Sequence, residues 1–157
     1  MDIKIKSTKR CDSRTLAPGQ NVDPEVVKED TLLHIDAVKS CGDFLCDRIT
    51  KQFARHDHTK LGGYLPLFTQ AINSRLTGDQ FKELKWWQIH LTERHHLNDK
   101  VPENVNLIDV LEMISDCVSA GMARTGKVYD VTLDGATLEK AFKNTVELIK
   151  KNIKVEE

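Results

Sequence analysis

Residues 23–57 read DPEVVKEDTLLHIDAVKSCGDFLCDRITKQFARHD, and this stretch carries both the fold class and the first chemistry of the chain. Asp23 suits a helix N-cap, because its carboxylate accepts from an otherwise orphan backbone N–H. Pro24 fits the first helical position, and Glu25 favours the positive end of the helix dipole. The apolar periodicity runs on to about Arg55, with Gly42 marking a kink or a close approach. At about 100° per residue, Val27, Val38, Cys41 and Leu45 cluster around the direction of His34. Lys28, Glu29, Asp36, Lys39, Asp43 and Asp47 take the opposite arc. His34 is therefore expected in the middle of a buried stripe, with Arg48 and Gln52 further along the same side. A buried imidazole nitrogen left unsatisfied costs roughly 1–3 kcal/mol, so His34 needs either a polar partner in the core or a metal ion.

The helix closes on His56-Asp57. Neighbouring residues reach one ion only where the backbone leaves extended geometry, as at a helix end. The ordinary reading is a helix-end histidine favoured by the dipole beside a solvated aspartate. The pair does not stand alone, however. Five of the six histidines fall in the ordered series His34, His56-Asp57, His90, His95-His96, with Asp116 downstream and only His58, expected in solvent, outside it. Imidazole nitrogen and carboxylate oxygen are ligands that zinc, iron and manganese accept readily. The series holds enough ligands for one divalent ion, or for two.

Two further segments bear on this. Asp79 to about Glu93 reads as a helix carrying Trp86, Trp87 and Ile89. Steps of five or six residues from His90 turn a helix by about 140° or 240°, so His95 and His96 cannot share a face with His90 on one helix. The chain has to bend after Glu93 if they are to meet; otherwise these are surface histidines at a polar helix end. Asn106 to Arg124 is helical again. Leu107, Leu111, Ile114 and Val118 form an apolar stripe, and Asp109, Glu112 and Asp116 an acidic one. The acidic stripe is either a solvated face or the border of a metal cavity, with Asp116 as ligand and Glu112 as base or orienter.

The remaining pattern completes an all-α reading of about five or six helices. Tyr64 to Leu76 is expected to be helical and to end at Gly78. Residues 97–105 form a connection, and KVYDVTLD between Gly126 and Gly135 a short strand or extended loop. A last helix is expected from about Thr137 to Val155, with Leu138, Phe142, Val146, Ile149 and Ile153 on one face. Ile3 and Ile5 alternate with polar neighbours in residues 1–8, a weak strand signal, and 9–22 read as an irregular arm. The expected organisation is an N-terminal arm over 1–22 and a helical domain over 23–157.

At 157 residues, with 30% charged residues and a net charge of −1, the chain has no basic excess that would steer it to nucleic acid. No apolar stretch reaches membrane-spanning length, and MDIKIKSTKR has no signal-peptide core, so a cytoplasmic location is expected. The four cysteines, Cys11, Cys41, Cys46 and Cys117, form no CxxC pair and are read as reduced. No Walker loop, dinucleotide glycine motif or zinc ribbon is present.

The order His34, His56-Asp57, His90, His95-His96 and Asp116 on a helical chain resembles the HD-domain superfamily of metal-dependent phosphohydrolases. The segments FARHDHTKLGGY, HLTERHHLN and NLIDVLEMISDCVSAGMAR are similar to a small HD-like family of phages and bacteria. The resemblance spans roughly residues 30–125. It implies His34, His56, Asp57 and Asp116 as a shared metal core, with His90, His95 and His96 holding a second ion in dinuclear branches. The chain departs from that pattern by packing these three histidines into seven residues.

The implied activity is hydrolysis of a nucleotide or another small phosphate ester. One or two ions of manganese, iron, zinc, magnesium or cobalt would serve it, Asp57 would bridge a pair, and Asp57 and Glu112 would be the catalytic carboxylates. Lys60 and Arg124 are the cations placed to meet a phosphate. Two alternatives stay open. One is a dinuclear iron oxygenase of the same superfamily. The other is a metal-stabilised phage protein that binds a host factor in the host cytoplasm, its strand-like N-terminus adding to a partner's sheet or exchanging within a homo-oligomer.

Overall fold

The computed structural model describes residues 2–7 and 17–156. The chain divides into two compact units: Met1–Ile49 with Val146–Glu157, and Thr50–Thr145. Residues 8–16, the middle of the expected arm, lie outside the described residues, and Cys11 with them.

In the first unit the expected strand is present. β1 (Ile3–Lys6) pairs in parallel with β2 (Ile153–Glu156), Ile3 opposite Ile153. Ile3 is buried, and the outward lysines find acids across the pair, Lys4 on Glu156 and Lys154 on Asp2. This corrects two expectations. The last helix stops at Asn152, and Ile153 and Val155 belong to a strand, as β-branched residues alternating with charges favour. The N-terminal strand already has a partner along one edge within its own chain.

α1 (Pro24–Phe53) begins as expected: the Asp23 carboxylate accepts from the Glu25 N–H at 2.9 Å. Its buried side chains are Asp30 and Phe44, and Arg48 lies over the Phe44 ring at 4.9 Å. His34 is exposed, as are Ile35 and Val38, which corrects the expected buried stripe. Periodicity marks a helix face as apolar but carries no information on what the fold places against it.

The second unit holds the remaining helices: α2 (Leu65–Asn73), α3 (Gly78–Lys82), α4 (Lys85–His90), α5 (Leu107–Thr125) and most of α6 (Gly135–Asn152). The single helix expected over Asp79–Glu93 is two short ones with a break at Glu83-Leu84, where Leu84 turns extended. Gly78 opens α3 instead of ending the previous helix. The stretch between α5 and α6 is loop, with no strand. Leu97, Val105, Met113 and Ala141 form the core, with Leu107, Val110, Val131 and Leu133 packed around it.

Polar contacts fix the two long helices onto that core. Asn106 and Asp109 close a reciprocal capping box at the start of α5. Thr145 on α6 accepts the Leu107 N–H at 2.9 Å, and Asn144 donates to the Val105 carbonyl at 2.8 Å. α5 is buried on its acidic side: Asp109 and Glu112 are inside, while Leu111, Ile114 and Val118 are exposed. The stripe is therefore not a solvated face at Asp109 and Glu112, while Asp116 is a third exposed.

Gly121 on α5 lies directly under the loop that follows. A β-carbon there would meet the Lys127 carbonyl oxygen at 2.5 Å and the Tyr129 nitrogen at 2.6 Å, both backbone atoms. Gly121→Ala is expected to destabilise the protein by about 1–3 kcal/mol through overpacking, read as a lower midpoint in chemical denaturation. Gly135→Ala, where a β-carbon meets nothing within 4 Å, is the control.

Candidate metal centre

The centre is built where the end of α1, the turn after it, α4 with its following turn, and α5 converge. The backbone first sets its geometry. Asp57 has φ 57°, in the left-handed region that a non-glycine residue enters at a cost of roughly 1–2 kcal/mol. That reversal turns the chain at the helix end and lets His56 and Asp57 face the same space. Glu93 holds the turn: it accepts from the Asp57 N–H and the Thr59 N–H, each at 2.9 Å.

Asp57 then stands between two histidines. Its Oδ2 lies 3.6 Å from His56 Nε2, and its Oδ1 3.7 Å from His90 Nε2. Each histidine is held from behind at Nδ1, His56 by Glu112 at 3.0 Å and His90 by the Thr59 hydroxyl at 2.7 Å. His56 Nε2 also faces Asp116 Oδ1 at 3.4 Å. His96 Nε2 approaches His90 Nε2 to 2.8 Å, and His95 Nδ1 lies 3.5 Å from Glu112. The bend needed to bring His95 and His96 to His90 is therefore made, by turns directly after α4.

Among the described residues, three groups of side chains converge closely enough to hold an ion: His90 with His95 and His96; His56 with His95 and Glu112; and Asp57 with His90 and Glu93. Two buried atoms in these groups, Asp57 Oδ1 and His95 Nδ1, have no hydrogen-bond partner. An orphaned carboxylate oxygen facing an imidazole nitrogen is a costly arrangement that a cation relieves. The donor set, all imidazole and carboxylate, suits a divalent ion.

The residues at the back of the centre are buried, and those at its front are partly exposed. His90, His95, Glu93 and Glu112 are buried, and Trp86 stacks on His90 with centroids 4.6 Å apart. The side chains of His56, Asp57, Lys60 and Asp116 are about a quarter to a third exposed (27%, 26%, 27% and 33%). Lys60 Nζ donates to Asp57 Oδ2 at 2.6 Å. Arg124, expected as a second phosphate contact, is exposed eight residues and about 12 Å of helix beyond Asp116. His34 belongs to the first unit and to none of the three groups, and His58 is exposed as expected.

Sequence reasoning missed Thr59, Glu93, Gln52 and Trp86. Gln52 donates to both Asp109 at 2.8 Å and Glu112 at 2.7 Å, and Arg94 grips Asp109 with two nitrogens. Trp86 and Glu93 carried one legible signal, since they stand four before and three after His90. The role of Glu93 had none, because it acts on backbone N–H groups.

The electrostatics sort the histidines into two kinds. Hydrogen bonds that His56 donates to Asp116 and Glu112, with the charge of Asp57, raise it to about 10 against the effect of burial. Burial and the neighbouring His96 and Lys60 lower His90 to about 4, and burial and His95 lower His96 to about 4. Burial pushes Glu112 up, but His56, His95 and Gln52 outweigh it and hold it at about 2. At neutral pH His90 and His96 are thus neutral, the form that binds metal.

No protein-family model matches this chain, and neither a curated protein nor a solved structure is similar to it.

For protein stripped of metal, these shifts set a stability optimum. His56 is raised, so its contribution is complete below the unfolded value of 6.5 and is lost as pH rises towards 10. His90 and His96 are depressed, so the unfolded chain takes up more protons below 6.5, and stability falls as pH drops towards 4. Thermal midpoints measured in chelator are expected to peak near pH 6.5. His56→Gln should flatten the alkaline side and leave the acid side in place.

Proposed function

We propose that this chain is a metal-dependent phosphohydrolase acting on a nucleotide or another small phosphate ester, with ligands drawn from the histidine and aspartate series without His34. The observation that carries the reading is Asp57, whose two oxygens face Nε2 of two different histidines while one of them lacks a hydrogen bond. Asp57 and the imidazoles on either side of it would serve as ligands to one or two divalent ions. His56, Asp57 and Asp116 would hold one ion, and Asp57, His90 and His96 the other, with His95 beside them. Bound divalent ions supply a water of lowered pKa and neutralise charge on phosphoryl oxygens.

The chain's own residues supply the rest. Glu112 keeps the His56 proton on Nδ1, so that Nε2 points outward; with its side chain 5% exposed and occupied by Gln52 and His56, it orients and does not take protons from substrate. Lys60 sits at the partly exposed front and can leave Asp57 to pair with a phosphate oxygen. The stacked Trp86 keeps water from the back of His90.

Elemental analysis of protein purified without an affinity tag tests the reading, followed by a phosphatase screen over nucleotides. About two ions per chain are expected, falling to about one in the His90→Ala, His96→Ala double variant and to near none in Asp57→Ala. Lys60→Ala should keep its metal and lose about tenfold or more in kcat/KM, in line with removal of one charge-assisted contact of roughly 1.5–3 kcal/mol. Stoichiometric metal in Asp57→Ala, or no phosphatase activity with any metal, counts against the proposal. Two irons with visible absorbance and oxygen-dependent turnover would move the reading to an oxygenase.

A further inference from the structure

We infer that Glu93 and Thr59 form a relay that fixes which nitrogen of His90 carries the proton, and thereby presents Nε2 of His90 and the carboxylate of Asp57 as a matched pair of ligands. This rests on the metal reading above and assigns roles to two residues outside the ligand series.

The argument follows from counting hydrogens. Glu93 has its side chain 3% exposed and receives three donors: the Asp57 N–H on Oε2, and the Thr59 N–H and hydroxyl on Oε1. Backbone N–H groups, which only donate, sit on both of its oxygens, and the Thr59 hydroxyl is a third donor, so it serves as an acceptor only. Thr59 Oγ1 lies 2.6 Å from Glu93 Oε1 and 2.7 Å from His90 Nδ1. A hydroxyl has one hydrogen. With Glu93 unable to donate, that hydrogen goes to Glu93, and the second contact must be His90 Nδ1–H donating to Thr59 Oγ1. His90 then has its lone pair on Nε2, the nitrogen that faces Asp57 Oδ1 and His96 Nε2. Trp86 fixes the ring in this plane: it stacks on His90 at an interplanar angle of 19° and donates its Nε1–H to the Thr59 carbonyl at 2.9 Å.

The same carboxylate holds the other member of the pair. The Asp57 N–H bond to Glu93 supports the left-handed backbone at Asp57, which aims its side chain at His90. Glu93 falls among side chains close enough to hold an ion. Both its oxygens are nevertheless engaged by strong donors, which makes it a positioning residue and not a ligand. Supports of this kind, donated to or accepted from the far nitrogen of a ligating histidine, typically change metal affinity by about 10–100-fold when removed.

The test combines nitrogen NMR of ¹⁵N-histidine protein in chelator with titration by Zn²⁺ alone. Wild type and Thr59→Ser are expected to show His90 protonated at Nδ1 and to bind Zn²⁺ alike. Thr59→Val, close in shape but without the hydroxyl, should admit the Nε2–H form and bind Zn²⁺ about 10–100-fold more weakly. Glu93→Gln places an NH₂ against backbone donors and should weaken Zn²⁺ binding at least as much. If Thr59→Val fails to fold, the wild-type and Thr59→Ser spectra still decide the tautomer. Zn²⁺ uptake with His90 protonated at Nε2 in wild type overturns the relay alone, as does a Thr59→Val protein with unchanged tautomer and affinity. Wild type that binds no divalent ion overturns the metal reading and the relay's role together.

Discussion

The buried acidic side of α5 is the constraint around which the second unit is arranged. Carboxylates taken out of water cost several kcal/mol each unless they are paired and hydrogen-bonded. Asp109, with no exposure at all, is answered in full: two guanidinium nitrogens of Arg94, the Gln52 amide and the Asn106 N–H all reach it. Glu112, one turn on, has the neutral Gln52 and the histidine His56. Asp116, one turn further, has His56 at 3.4 Å. Compensation thins along the helix, and it thins towards the point where Asp57 adds another carboxylate. The first turn of the stripe is structural, and the last leaves a surplus of negative charge beside neutral imidazoles.

That surplus becomes a site only because of how the chain leaves α1. An aspartate that continued the helix would not face the same space as the histidine before it. The left-handed turn at Asp57 costs free energy locally, and the two backbone bonds to Glu93 offset it. A buried glutamate on a different segment thereby determines the direction of Asp57. The strain sits at the residue on which the proposed chemistry depends, as strained backbone often does.

Much of this was legible in the sequence, and the failures have physical causes. The start of α1 was readable because capping is local: Asp23 and Pro24 act within one turn. The series His56-Asp57, His90, His95-His96 and Asp116 was readable because ligand chemistry restricts residue types, and the need for a bend after His90 followed from helix geometry alone. His34 misled because the apolar residues around it define a face without saying what covers it. α5 was ambiguous for the same reason, with an acidic stripe buried and an apolar one exposed. The division of Asp79–Glu93 into α3 and α4 was missed because Leu84 breaks the helix without a proline or glycine. The roles of Thr59 and Glu93 were not legible, because the Thr59 hydroxyl bonds side chains 31 and 34 residues away and Glu93 accepts from backbone N–H groups, neither of which leaves a periodic trace.

The two cations of the centre explain how such a cluster folds at all. Lys60 and the protonated His56 both lie against Asp57 Oδ2, and His56 also reaches Asp116 and Glu112. Three carboxylates, Asp57, Glu112 and Asp116, are thus answered within the chain by one ammonium and one imidazolium, while Glu93 is answered by the Asp57 and Thr59 N–H groups and the Thr59 hydroxyl. On the proposed reading both cations occupy oxygens that a divalent ion would need, so its binding would displace the Lys60 ammonium and the His56 proton, whereas His90 and His96, kept neutral by burial, would need no such exchange. Burial thus separates two imidazoles that are kept neutral from one that the carboxylates around it hold protonated.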